Sequence, residues 1–169
     1  MGLTWPSTWR SSWPLFFENK LLYLQTGRIS EGEYLVPIGV GDVKREGREV
    51  TVVAIGSIVP VALRVADDLA REGIEVEVVD PRTLVPLDMA TIMRSVVKTG
   101  RLVTVEEGAL NHNFGAEIIA RVVESAPQLL KAPPRRVAAA DVPIPYARNL
   151  EQAAVPGEED IRRAILALF

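Results

Sequence analysis

The sequence predicts an α/β domain of three layers, a mostly parallel sheet covered by helices on both faces, and three observations carry that expectation. Short β-branched runs alternate with amphipathic stretches from Val50 onward. The first run is almost continuously apolar, as a strand buried on both faces requires. The links between runs are short, and strand–helix–strand units of this kind close right-handed onto a parallel sheet.

The elements follow in order. "EVTVVAIG" (Glu49 to Gly56) reads as the first parallel strand, and in "SIVPVALRVADDLAREG" Ile58, Ala62, Val65 and Leu69 recur at helical spacing before Gly73 stops the helix. "IEVEVVD" (Ile74 to Asp80) is the second strand. "LDMATIMRSVVKTG" is a helix capped by Asp88, with Ile92, Val96 and Val97 directed inward and Gly100 as its stop. "RLVTVEEG" is the third strand, "FGAEIIARVVESA" the third helix, and "RRVAAAD" a shorter last strand. "VPIPYARNLEQAAVPGEED" carries prolines at 143, 145 and 156 and is expected to run extended over the surface. "EEDIRRAILALF" opens with acids and places Ile161, Ile165, Leu166 and Leu168 on the docking face of a terminal helix.

Upstream the signals are weaker. "PLFFEN" has the composition of a strand, "KLLYLQ" that of a helical turn, and "YLVPIGV" that of an edge strand, because Pro37 lacks the donor a central strand needs. The opening "MGLTWPSTWRSSWP" holds all three tryptophans among Ser, Thr and Pro, without either secondary-structure period, and reads as an appendage.

Composition narrows the function. The 169 residues are 48% hydrophobic, enough for one substantial core. The 19 Lys+Arg against 22 Asp+Glu, with no basic run, leave no electrostatic footprint for nucleic acid. Zero cysteines exclude a disulfide framework and thiolate ligation, and a single histidine excludes a histidine metal cluster. No apolar run approaches the roughly 20 residues that span a bilayer, so a cytoplasmic, membrane-free protein is expected.

In open parallel sheets ligands bind beyond the carboxyl ends of the strands, here Gly56-Ser57, Asp80 to Thr83, Glu106 to Gly108 and Asp141. An Asp80–Arg82 pair is expected to tie down its own loop by a salt bridge rather than to hold an anion. Glu106 and Glu107 have the composition of an acid/base pair. As strand neighbours they point to opposite faces, so no shared acid/base role is assigned. His112 lies between two asparagines with no serine to activate. Phe114-Gly115-Ala116 opens a helix whose amides suit phosphate, but neither nucleotide-binding glycine pattern is present. The residues alone define a domain without a self-sufficient active site.

The order "FFENKLLY", "EGEYLVPIGVGDVKREG", "VVDPRTLVPLD", "VEEG" with "FGAEI", and "PIPYARNLE" resembles the carboxyl-terminal half of the beta subunit of thiamine-diphosphate-dependent 2-oxo acid dehydrogenases, a half similar to the transketolase carboxyl-terminal domain. The resemblance implies a mixed five-stranded sheet with one antiparallel edge strand, which "YLVPIGV" would supply. It implies residues 1–12 as an atypical segment, 13–48 as the tail of a pyrimidine-binding domain with linker and edge strand, and 49–169 as the transketolase-type domain.

By the same resemblance the domain serves assembly. The partners are an alpha subunit, a second beta subunit and a lipoamide acyltransferase core, with homodimerisation when the chain is isolated. Thiamine diphosphate and magnesium belong to the parent enzyme, and no catalytic, cofactor or metal residue is assigned to this chain. Asp80, Arg82, Glu106, Glu107, His112, Phe114, Pro145 and Tyr146 are the residues expected to order loops or form interfaces. A free-standing binding or scaffold module, or the remnant of a split gene, is the alternative reading.

Overall fold

The structure is a computed structural model that describes residues 2–4, 15–27 and 31–169. Its centre is a five-stranded sheet in the order β3 (Asp42–Arg45), β5 (Val76–Asp80), β4 (Val50–Ala54), β6 (Leu102–Ala109), β7 (Arg135–Ala139). β4 pairs in parallel with β5 and β6, β6 pairs in parallel with β7, and β3 alone runs antiparallel, against β5. A second, two-stranded sheet joins β1 (Gly2–Thr4) to β2 (Leu35–Pro37) in parallel.

The edge strand is therefore Asp42–Arg45 and not "YLVPIGV". Leu35–Pro37 pairs with Gly2–Thr4 instead, and the chain turns at Gly39 before entering the main sheet. The expectation for residues 1–12 falls outside the described residues apart from Gly2–Thr4.

The two faces of the sheet carry different helices. On one side α1 (Val59–Arg71) and α5 (Glu158–Leu166) pack on Val50, Val52, Val76, Val78, Val103 and Val105. On the other, α2 (Met89–Thr99) and α3 (Phe114–Ser125) cover Val53, Val79 and Leu102. The strand period of two sends alternate residues of β4 and β5 into the two cores. Thr51 and Thr99 meet within the α2 layer by a 2.8 Å hydroxyl hydrogen bond that satisfies both.

The local stop signals behave as their chemistry dictates. Asp88 caps α2 by accepting from the Thr91 amide, and Gly100 ends it at φ 74, a conformation that favours glycine. Within α2, Ile92 and Val96 are buried while Val97 is 59% exposed, because a step of five residues from Ile92 carries Val97 round to the outer face. Leu166 of α5 likewise faces outward, leaving Ile161, Ile165 and Leu168 as the docked residues. The carboxyl terminus is held by Arg101, whose Nε donates to the Leu168 carbonyl at 2.9 Å and whose guanidinium lies 4.2 Å from the centre of the Phe169 ring.

Two further stretches differ from expectation. Leu15 to Asn19 has no regular structure, and a 3-10 helix follows at Lys20–Leu24, as "KLLYLQ" suggests. The stretch between Pro145 and Pro156 contains α4 (Arg148–Ala154) rather than running extended. Proline stops a helix only at and near its own position, and the stretch between the two holds Asn149, Leu150, Glu151, Gln152, Ala153 and Ala154.

Candidate functional site

The loop after β5 is a clamp on the entry to the edge strand. The Arg82 amide donates to Asp80 Oδ1 at 2.9 Å, and Arg82 itself takes φ 56. That backbone turn sends its guanidinium to Asp42 Oδ2 on β3 at 2.6 Å, so the expected Asp80–Arg82 salt bridge does not form. Lys44 completes the cluster, 2.8 Å from Asp42 and 4.0 Å from Asp80. The Lys44 ammonium, with Arg82 beside it, holds the Asp42 carboxyl below its ordinary value.

Thr83 and Asp88 extend the clamp. Thr83 Oγ1 accepts the Gly39 amide at 3.0 Å and donates to the Pro86 carbonyl at 2.8 Å. Asp88 accepts from the Gly41 amide at 2.9 Å, the Thr91 amide at 3.0 Å and the Thr91 hydroxyl at 2.6 Å. Burial pushes the Asp88 carboxyl up, but these donors outweigh burial and leave it below its ordinary value. "VVDPRTLVPLD" is thus read out by backbone amides and carboxylates of the chain itself, with Asp42, Thr83 and Asp88 joining the Asp80 and Arg82 foreseen from sequence.

The end of β6 separates its two carboxylates. Glu106 is 4% exposed and lies beneath the first turn of α3, where the Gly115 amide donates to its Oε1 at 2.9 Å. Glu107 is half-buried and accepts from Asn19. Burial raises the Glu106 carboxyl above its ordinary value, against the opposing pull of the Gly115 and Phe114 amides and of Arg136. Gly115 is required by this contact: a Cβ there would stand 2.5 Å from Glu106 Oε1 and 2.7 Å from Thr104 Oγ1.

The α3 amides suited to a phosphate are therefore engaged. Asn113 Oδ1 accepts from the Phe114 amide at 3.0 Å, and Glu106 takes that of Gly115. Asn113 was missed in the sequence, although Asn immediately before an amphipathic stretch is a standard helix-capping signal.

His112, Asn113 and Phe114 form one wall of an open groove of about 850 Å³, whose other wall is the Leu84 to Leu87 loop. His112 is exposed at φ 60, Phe114 is half-buried, and Glu117 and Arg121 form a 2.7 Å ion pair along the α3 side. Nothing in the groove aligns an acid, a base and a nucleophile. Among the described residues no group of three or more His, Cys, Asp or Glu could hold a metal ion, and no helix is long and apolar enough to cross a membrane.

Beside the groove a second surface is assembled from two loops. The Leu110 amide donates to the Ala139 carbonyl at 3.0 Å, Arg136 donates to the Leu110 carbonyl at 2.9 Å, and Asn111 donates to Asp141. Following them, Val142, Ile144, Tyr146 and Leu150 are all about half exposed or more, with Tyr146 wholly exposed and Pro145 half-buried between them. A run of large apolar side chains left open in this way marks an interaction surface more often than a site of chemistry.

A mixed five-stranded sheet with a single antiparallel edge and internally clamped strand-end loops defines the class, and residues 39–161 match the family "Transketolase, C-terminal domain". The chain belongs to that family. It is 51% identical over 154 residues to the pyruvate dehydrogenase E1 component subunit beta-1 of Arabidopsis thaliana, an alignment covering 89% of this chain and 42% of the relative. The corresponding beta subunit of Drosophila melanogaster is 44% identical over 160 residues, covering 92% of this chain and 44% of the relative. That of Rhizobium meliloti is 41% identical over 155 residues, covering 91% and 34%. The chain thus spans less than half the length of these relatives.

Among solved structures, a split-gene transketolase described as an inactive beta4 tetramer is similar with a TM-score of 0.67 and 30% identity, over 77% of this chain and 42% of that one.

Proposed function

We propose that this chain is the assembly domain of a pyruvate dehydrogenase-type beta subunit, and that its work is to join subunits rather than to react with substrate. The observation that carries the reading is the open apolar run Val142, Ile144, Tyr146 and Leu150, together with Thr83, Asp88 and Glu106 at the strand-end loops, each already hydrogen-bonded within the chain. Its partners are an alpha subunit, a second beta subunit and the lipoamide acyltransferase core. Thiamine diphosphate and its magnesium supply the covalent chemistry of such an enzyme. The described residues do not fit that cofactor, because the amides at the start of α3 are engaged by Asn113 and Glu106 and no carboxylate cluster suits the metal.

Self-association of the isolated chain accords with the same exposed surface and with the tetrameric state named for the similar transketolase. The test is reconstitution. The chain is assayed for 2-oxo acid decarboxylation alone and together with an alpha subunit and a separately supplied pyrimidine-binding domain, with assembly followed by sedimentation. Activity only in the assembled mixture is expected. Turnover by the chain alone, or failure to bind either partner, would overturn the proposal.

A further inference from the structure

α3 buries one side and leaves the other open. Ile118 and Val122 are fully buried against the sheet, whereas Ala116, Ala120 and Val123 recur at the i, i+4 and i+7 positions that share the opposite face. That face bounds the open groove of about 850 Å³, and Val85, 66% exposed, stands on the facing wall. Small side chains along it admit a second helix at close range, and a groove of this kind takes an amphipathic helix by its apolar face.

The charges beside that face select the helix. Glu117 and Arg121 lie two residues either side of Ile119, near the middle of α3, and Arg121 Nε donates to Glu117 Oε1 at 2.7 Å. The Arg121 Nη groups and Glu117 Oε2 have no hydrogen-bond partner among the described residues. A guanidinium carries five donors and a carboxylate about four acceptor sites, so each side chain can hold a second partner. Opposite charges set equally far from a helix midpoint are self-complementary under a twofold axis. Laid antiparallel, the Glu117 of each copy meets the Arg121 of the other.

We propose that α3 is a homophilic contact: two copies of the chain pack α3 antiparallel on α3 about a twofold axis at the level of Ile119, with Ala116 and Ala120 at the seam and Glu117–Arg121 pairs crossing it twice. The inference rests on the reading of the chain as an assembly domain, and it adds a face separate from the Val142 to Leu150 run. A chain with both surfaces associates beyond a dimer, and loss of the run leaves the α3 pair.

The test uses the full chain, which has no cysteine of its own, in a Tyr146→Ser, Leu150→Ser background that leaves α3 as the contact read. Ala120→Cys places a thiol one residue from the axis, within disulfide reach of its copy, and should give a covalent dimer under mild oxidation. Leu166→Cys, on α5 across the sheet, should not. In sedimentation, Glu117→Arg and Arg121→Glu each set like charges opposite one another and should weaken dimerisation by more than about tenfold. An equimolar mixture of those two variants should pair again, because every facing charge in the heterodimer is opposite. Simple damage to α3 would not be repaired in this way. Absence of the Ala120→Cys dimer, charge variants that associate as their parent does, or a mixture that stays unpaired would overturn the proposal. Capture of an alpha subunit by a chain that fails these tests would leave the assembly-domain reading standing, so the two fail separately.

Discussion

Lys98 forms an ion pair with Glu77, a carboxylate only 1% exposed near the start of β5, and also reaches Glu46 Oε2 at 2.6 Å. The Gly47 amide donates to the same Glu77 oxygen at 3.2 Å, so one buried charge joins α2, β5 and the loop between the edge strand and β4. Removing the cation strands that charge. Lys98→Met should cost about 3 kcal/mol in urea unfolding at neutral pH, the low end for breaking a buried pair because the lysine is itself partly exposed. Adding Glu77→Gln should recover most of the loss. A cost below about 1 kcal/mol for Lys98→Met would place the pair with ordinary surface bridges.

Asp88 should make the domain sensitive to acid. Its carboxyl lies below its ordinary value in the folded state, so its contribution is fully present above the unfolded-state pKa and is lost as pH falls through the folded one. Asp88→Asn should lower stability by about 1–2 kcal/mol at pH 7, the range for a lost helix cap. The gap between variant and wild type should close progressively below about pH 4, the unperturbed aspartate value. Thermal unfolding recorded across that range checks both statements.

Glu106 has the opposite sign. Its folded-state pKa is raised, so its favourable contribution is complete below the ordinary glutamate value and disappears as pH rises through the elevated one. Glu106→Gln should therefore gain on wild type with rising pH in chemical unfolding. Gly115→Ala, which drives a methyl against Glu106 and Thr104, should cost about 1–3 kcal/mol at every pH.

The apolar run near α4 should be separable from stability. Tyr146→Ser and Leu150→Ser remove exposed surface, so their effect on unfolding should stay within about 0.5 kcal/mol. Sedimentation should show weaker self-association and weaker capture by partner subunits. Unchanged assembly in the double variant would move the interface elsewhere on the domain.

The β-branched runs, the helical spacing of Ala62, Val65 and Leu69, the Asp88 cap and the Gly100 stop were legible because each depends on neighbours within a turn or a strand. That Glu106 and Glu107 face opposite ways was legible for the same reason, while which of them is buried was decided by the packing of α3. α4 was misread because prolines were taken to forbid structure throughout the segment they only bound.

The sequence by itself determined the alternation of strands and helices, the α/β class and the absence of cysteine chemistry, all properties of composition and short-range period. Tertiary structure alone decided that "DVKR" rather than "YLVPIGV" takes the sheet edge, that Arg82 pairs with Asp42, and that Gly115 makes room for a buried acid. Those outcomes rest on hydrogen bonds and charges between segments distant along the chain. Their energies exist only once the sheet has brought the partners within contact.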